Sequence, residues 1–152
     1  MYSKSNILVS ACLVGVNSKY NGKNNLNEDI LKLKDNFNLI LCCPEVAGKL
    51  STPRDPSEIV GKKVLSNKGN DVTFNYNYGA NVALKLCMKH NIQYAILKEK
   101  SPSCGSTKIY DGTFSGTLID GEGVTTTLLR NNGIKVYSEL EINRLLEDIR
   151  RD

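Results

Sequence analysis

The chain has 152 residues, of which 40% are hydrophobic and 24% charged, with a net charge of +4; this is an ordinary globular composition and excludes a disordered chain. The lysines are scattered among acids with no basic stripe or interleaved aromatics, so no nucleic-acid polymer is expected as a partner. No apolar run approaches the ~20 residues that span a bilayer, and residues 1–152 are expected to form one domain.

The start, Met1 to Ser5, leads straight into the first expected strand, so no signal peptide is expected. Five cysteines, an odd number, fit free thiols in a reducing cytoplasm better than a disulfide framework. Asn6–Ser10 reads as strand one, followed by Ala11-Cys12 and a loop of small and polar residues to Gly22. Leu26–Lys34 reads as a short helix with Leu26, Ile30 and Leu33 on one face. A second strand over Leu39–Cys43 stops at Pro44. Side chains alternate along a strand, so Cys42 and Cys43 face opposite ways. Cys43, beside the break, is the one expected at a site, whereas Cys42 suits the core.

Glu45–Glu58, with Arg54 and Asp55 between Pro53 and Pro56, reads as an irregular loop stiffened by proline. Lys62–Val72 is expected to hold a small hairpin about Ser66-Asn67-Lys68-Gly69. Thr73 is expected to cap a long helix over Phe74–His90, with an apolar stripe of Tyr78, Val82, Leu86 and Cys87. Cys87 therefore reads as core, and His90, the one histidine, as surface.

Tyr94–Leu97 is a third, fully apolar strand. It leads through Lys98 to a break at Ser101-Pro102 and then to Ser103-Cys104-Gly105. Asp111-Gly112 and Ser115-Gly116 punctuate a turn-rich segment. Gly121–Val124 opens a helix, where backbone N–H groups from Gly121 to Thr125 could meet an anion. The helix ends at Asn131-Asn132-Gly133. Ile134–Tyr137 is a fourth strand. Ser138 and Glu141 form a capping box for a last helix that packs Leu140, Leu145 and Ile149 on the sheet.

Strands alternating with helices predict an α/β fold: a three-layer, Rossmann-like, mainly parallel sheet with helices on both faces and a small β-hairpin insertion. Right-handed crossovers place the strand C-termini on one edge. A cysteine follows each of the first three expected strands, so Cys12, Cys43 and Cys104 can converge there. Three soft thiolates suit an iron–sulfur cluster with one iron left open, the position a Lewis acid requires. Zinc is the nearest rival, but no C-x₂-C pair or well-placed histidine completes a closed site. Buried or reactive thiols without metal remain the third possibility.

Four ordered motifs then carry a resemblance: SACLVGVNSKYNG at Ser10–Gly22, CCPEVAGKLSTPRDPSEI at Cys42–Ile59, ILKEKSPSCGS at Ile96–Ser106, and IYDGTFSGTLIDGEGVTTTLLRNNGI at Ile109–Ile134. Over nearly the whole chain the sequence resembles the bacterial thiouracil desulfidase family. The resemblance implies a [4Fe-4S] cluster held by Cys12, Cys43 and Cys104, with Glu45 and Ser101 acting on the substrate. It implies non-redox conversion of thiouracil, or of a thiouridine nucleoside or nucleotide, to the oxo form. On that reading the open iron takes the sulfur, water activated by Glu45 attacks the carbon, and an acceptor can receive the sulfur. Ser101 and Ser103 are expected to donate hydrogen bonds to the pyrimidine or to cluster sulfides, and Ser10 is a further expected substrate contact. Arg54 either meets a phosphate or pairs with Asp55 or Glu58. Many relatives carry a further cysteine where this chain has Ser18. A non-catalytic cluster or zinc protein, such as a sensor or sulfur carrier, is the alternative from another class, and a metal-free ligand-binding domain is a third.

Overall fold

The computed structural model describes residues 4–152. In order it contains β1 (Ser5–Ser10), α1 (Glu28–Lys32), β2 (Phe37–Cys42), α2 (Pro44–Ala47), β3 (Ser57–Val60), β4 (Lys63–Ser66) and α3 (Thr73–Lys89). There follow β5 (Tyr94–Leu97), β6 (Lys108–Tyr110), β7 (Leu118–Asp120), α4 (Val124–Asn131), β8 (Lys135–Ser138) and α5 (Ile142–Arg151).

Ile7, Leu8 and Val9 of β1 are apolar in unbroken sequence, and a strand of that kind is stable only when covered on both faces. The fold does this. β2, β1, β5 and β8 form one parallel sheet in that order. On one face Leu8, Ala95, Leu97 and Val136 pack with Ala83 and Cys87 of α3 and Leu129 of α4. On the other, Ile7, Val9, Ile96 and Tyr137 pack with Ile30 of α1 and Leu145 of α5. The expected three-layer architecture is present. Two antiparallel hairpins, β3–β4 and β6–β7, are added to it.

Several boundaries differ from expectation for local reasons. Asn27 caps α1, its side-chain oxygen accepting from the N–H groups of Asp29 and Ile30 at 3.1 Å. The helix therefore starts after Leu26, which is exposed. The first hairpin turns at Gly61-Lys62 instead of Ser66–Gly69, because Gly61 adopts the positive φ that a two-residue hairpin turn needs. Thr73 does not cap α3; its hydroxyl accepts from the Val64 N–H (2.9 Å) and ties the helix to β4. The buried face of α3 is Tyr76, Gly79, Ala80, Ala83 and Cys87. Tyr78 is exposed, because close neighbouring helices admit only small side chains along most of that face. The Ser138 N–H donates to Glu141 Oε1 (3.0 Å) and the Leu140 N–H to Ser138 Oγ (3.1 Å); these bonds close a turn ahead of α5 instead of capping it and leave Leu140 in solvent.

The contact of α2 with α3 sets the position of Glu45. A Cβ at Gly79 would lie 1.8 Å from the Pro44 carbonyl oxygen. Gly79→Ala is therefore expected to destabilise the protein by about 1–3 kcal/mol through overpacking, despite alanine's higher helix propensity. Urea unfolding measures this, and an unchanged midpoint would show that α2 does not rest on α3.

Candidate active site

In the sheet order β2-β1-β5-β8 the chain departs from β1 to one side and returns as β5 on the other. This is the switch point at which an open α/β sheet leaves a crevice beyond its strand carboxyl ends. The backbone N–H of Lys98, just after β5, donates to Ser10 Oγ at the end of β1 (2.9 Å). Above this junction lies a cleft of about 640 Å³, lined among others by Cys12, Cys43, Cys104, Glu45, Arg54 and Ser101.

The three thiols arrive from three different strand ends. Cys12 sits in the 3-10 turn Ala11–Val14 after β1, Cys43 precedes α2, and Cys104 lies in the loop after β5. Each sulfur has a polar neighbour. Asn25 Nδ2 donates to Cys12 Sγ at 3.5 Å, and Arg54 Nη2 lies 4.0 Å from Cys43 Sγ. Cys104 Sγ lies 3.7 Å from Ser103 Oγ. Burial pushes the Cys104 thiol far up from its ordinary range, with repulsion from Cys43 and Glu45 adding and Ser10 and Ser103 opposing. Burial likewise raises Cys12, with Cys43 adding and Asn25 opposing. Cys43 thus opposes the ionisation of both Cys12 and Cys104, and two such buried thiols become thiolates readily only around a positive centre. That donor set is soft and suits iron or another thiophilic metal. Among the described residues no three His, Cys, Asp or Glu groups meet as ligands of a single ion.

The other two cysteines belong elsewhere. Cys42 is in the core on the α3 side, its thiol pushed up to about 12 by burial. Cys87 is in the same core, and burial takes its thiol to about 11. His90 is at the C-terminal end of α3, its carbonyl accepting from Asn6 at the opposite edge of the sheet.

Glu45 stands in the first turn of α2. Its Oε1 accepts from Arg54 Nε at 3.0 Å, with both side chains largely buried. Burial, then the Glu45 charge, drive the Tyr76 pKa far upward. Arg54 is used up within the protein. Nη1 donates to the Ser51 carbonyl (3.3 Å) and Thr52 Oγ1 (3.1 Å). Nη2 donates to the Ser18 carbonyl at 2.8 Å and faces Cys43. All five guanidinium donors are thus committed. This corrects the expectation that Arg54 binds substrate phosphate or pairs with Asp55 or Glu58. Asp55 instead meets Lys68 at 3.5 Å. Glu58 accepts from the Gly112 and Phe114 N–H groups.

The serines divide. Ser101 Oγ accepts from the Ser103 N–H (3.1 Å) and the Cys104 N–H (2.8 Å), so its hydrogen is free to donate into the cleft it lines. Ser103 is fully buried and shares a 2.8 Å hydrogen bond with Thr125 Oγ1. It cannot touch a ligand in the cleft, which corrects its expected role. Ser10 lines the cleft but is 3% exposed; its hydroxyl oxygen accepts from the Lys98 N–H at 2.9 Å. Ser10 thus ties the end of β1 to the residue after β5. Ser18 is also buried at the site. It engages Arg54 and Cys43 through its carbonyl, a contact that does not depend on the side chain.

Around Cys104 the backbone is pinned from two sides. Glu99, 5% exposed, accepts six hydrogen bonds from Lys100, Ser106, Thr107 and Lys108. The first turn of α4 donates N–H groups to the Pro102 and Ser103 carbonyls. Gly123 makes this approach possible, since a Cβ there would lie 2.4 Å from Ser103. The α4 N-terminus is therefore filled by the loop and offers no anion site, contrary to expectation.

The 2-thiouracil desulfurase family model matches residues 7–141. The chain belongs to that family. A relative in Bacillus subtilis (strain 168), the uncharacterized protein YbbK, is 45% identical over 150 residues, which cover 92% of this chain and 99% of that protein. A solved structure of the [4Fe-4S]-dependent thiouracil desulfidase TudS is 43% identical. It covers 98% of this chain and 100% of its own, with a TM-score of 0.93. As a member of the desulfurase family the chain is an enzyme, which sets aside a sensor or sulfur carrier as its class. No helix among the described residues is long and apolar enough to cross a membrane.

Tyr76, Asn25, Glu99 and Glu139, which lies 2.9 Å from Lys98, are further residues at the site beyond those expected. Tyr76 had a signal: it falls on one helical face with Gly79, Ala80, Ala83 and Cys87. Glu99 had none, because its six donors become neighbours only when the loop closes.

Proposed function

We propose that the chain removes sulfur from a thiolated pyrimidine, converting the thiocarbonyl to a carbonyl with no net oxidation or reduction, using a [4Fe-4S] cluster held by Cys12, Cys43 and Cys104. The observation that supports this best is the presence of three soft thiols from three strand ends in one cleft with a buried, oriented carboxylate. Such a cluster, with three protein thiolates, would leave one iron without a protein ligand and so supply a Lewis acid able to polarise a thiocarbonyl. A cluster is larger than one ion, so its ligands surround it and need not meet at a point.

The chain's residues supply the rest. Glu45, held by Arg54, accepts a proton from the water that attacks the thiocarbonyl carbon. Ser101 donates its free hydroxyl hydrogen to a polar atom of the pyrimidine. Arg54 keeps the Glu45 carboxylate and the Cys43 sulfur in fixed relation. The carbon–sulfur bond breaks, the water oxygen becomes the carbonyl oxygen, and the sulfur leaves at the sulfide level as hydrogen sulfide, carrying both protons of the water, one of them by way of Glu45. A reducing cytoplasm would keep the thiols available.

Iron and acid-labile sulfide per chain after anaerobic reconstitution test this, with turnover of 2-thiouracil to uracil on the same sample. About four of each is expected, with both lost and turnover abolished in Cys104→Ser. Zinc, or full metal content without any turnover of thiouracils, would overturn the proposal.

A further inference from the structure

The motif Tyr110-Asp111-Gly112-Thr113-Phe114-Ser115-Gly116 has no part in the chemistry above, yet its hairpin reaches the cleft through Tyr110, Phe114 and Gly116. Phe114 adopts φ +57°, a left-handed conformation uncommon for a bulky side chain and held only where surroundings impose it. Those surroundings are specific. Glu58, 9% exposed, accepts from the Gly112 N–H at 3.0 Å and the Phe114 N–H at 3.2 Å. Gly112, at φ +90°, packs so closely on β3 that a Cβ would lie 2.6 Å from the Ile59 carbonyl oxygen. The Asp111 N–H donates to the Thr117 carbonyl at 2.9 Å, and the Thr113 and Ser115 hydroxyls lock the tip from within.

A buried carboxylate, a close backbone contact and a dense turn thus converge on one outcome: a rigidly held phenyl ring in the wall of the cleft. The ring is 40% exposed. Among the described residues it stacks on no other aromatic ring. The thiols and Glu45 line the same cleft but are mostly buried. A planar heterocycle with its sulfur toward the thiols therefore leaves a face to be covered, and an aromatic ring covers such a face without regard to ring substituents.

We propose that Phe114 is a substrate-binding residue that stacks on the planar face of the substrate ring, with Glu58 as the positioning residue that holds it there. The inference rests on the thiolated-pyrimidine reading. It predicts that the hairpin governs binding and not the bond-breaking step.

The test uses reconstituted wild-type enzyme with Phe114→Ala, Phe114→Leu, Phe114→Tyr and Glu58→Gln. Steady-state turnover of 2-thiouracil is measured beside calorimetric titration with uracil, which carries no sulfur. In Phe114→Ala, KM and the uracil Kd are expected to rise together by about ten-fold or more, with kcat within about two-fold. Phe114→Tyr should bind like wild type, Phe114→Leu should fall between, and Glu58→Gln should weaken binding in the same direction with iron content unchanged. If the wild type turns over thiouracil but Phe114→Ala leaves KM and Kd unmoved, the stacking role is wrong and the functional reading stands. If the wild type turns over no thiouracil, both fall. A loss of kcat at constant KM would overturn the role by placing the ring in the chemistry.

Discussion

Glu45→Gln is expected to lower 2-thiouracil turnover by about 10²–10⁴-fold, the range a positioned general base contributes, while iron and sulfide content stay at the wild-type level. The substitution keeps the size of the side chain and one oxygen for Arg54 Nε, now 3.0 Å from Oε1. It removes the ability to take a proton. Glu45 sits in a four-residue helix fixed by Pro44 at its start and by the α3 contact, so a neutral amide of the same length should leave the fold undisturbed. Its charge nonetheless reaches Cys104, whose thiol it helps to raise, so the metal content must be measured with the rate. Loss of the cluster together with activity would assign Glu45 to support of the thiols. Full activity with a full cluster would remove it from the mechanism.

Glu99→Gln is expected to destabilise the protein by on the order of 3 kcal/mol at pH 7. Burial of Glu99 opposes its charge, but hydrogen bonds from Thr107, Lys108 and Lys100 outweigh burial and hold its carboxyl down at about 2, against 4.5 for the free side chain. A difference of that size corresponds to ~3 kcal/mol between charged and neutral forms, and glutamine imitates the neutral form. Because the folded pKa lies below the unfolded one, this stabilisation is fully present above about pH 4.5 and is lost as pH falls through about 2. The wild type should therefore lose its advantage over the variant across that window. Urea unfolding from pH 7 down to about pH 2 follows this, and a gap independent of pH would show that shape matters at this site and charge does not. The loop Glu99 anchors carries Ser101 and Cys104, so the variant should also retain a cluster less well after dilution.

Most of the architecture was legible because burial on both faces of a parallel sheet leaves a local mark. Ile7-Leu8-Val9 and Tyr94–Leu97 are continuous apolar runs, and the chain breaks after them at turn-forming residues. The placement of Cys12, Cys43 and Cys104 just past strand ends was readable for the same reason. Less was legible where pairing is not local. Lys108–Tyr110 and Leu118–Asp120 form a hairpin whose strands are three residues each, too short for a two-residue period to stand out from turn-rich surroundings.

The sequence by itself determined the layer order, the strand ends and the soft chemistry of the donors, since each follows from a repeat or a break within a few residues. The tertiary structure alone decided what each polar side chain is free to do. Arg54 spends its donors on residues 18, 43, 45, 51 and 52, Ser103 turns to Thr125, and Glu99 gathers six hydrogen bonds into one loop. A hydrogen-bonding group in a folded protein is defined by the partners it has left unfilled, and those partners meet only when distant segments close on the same cleft.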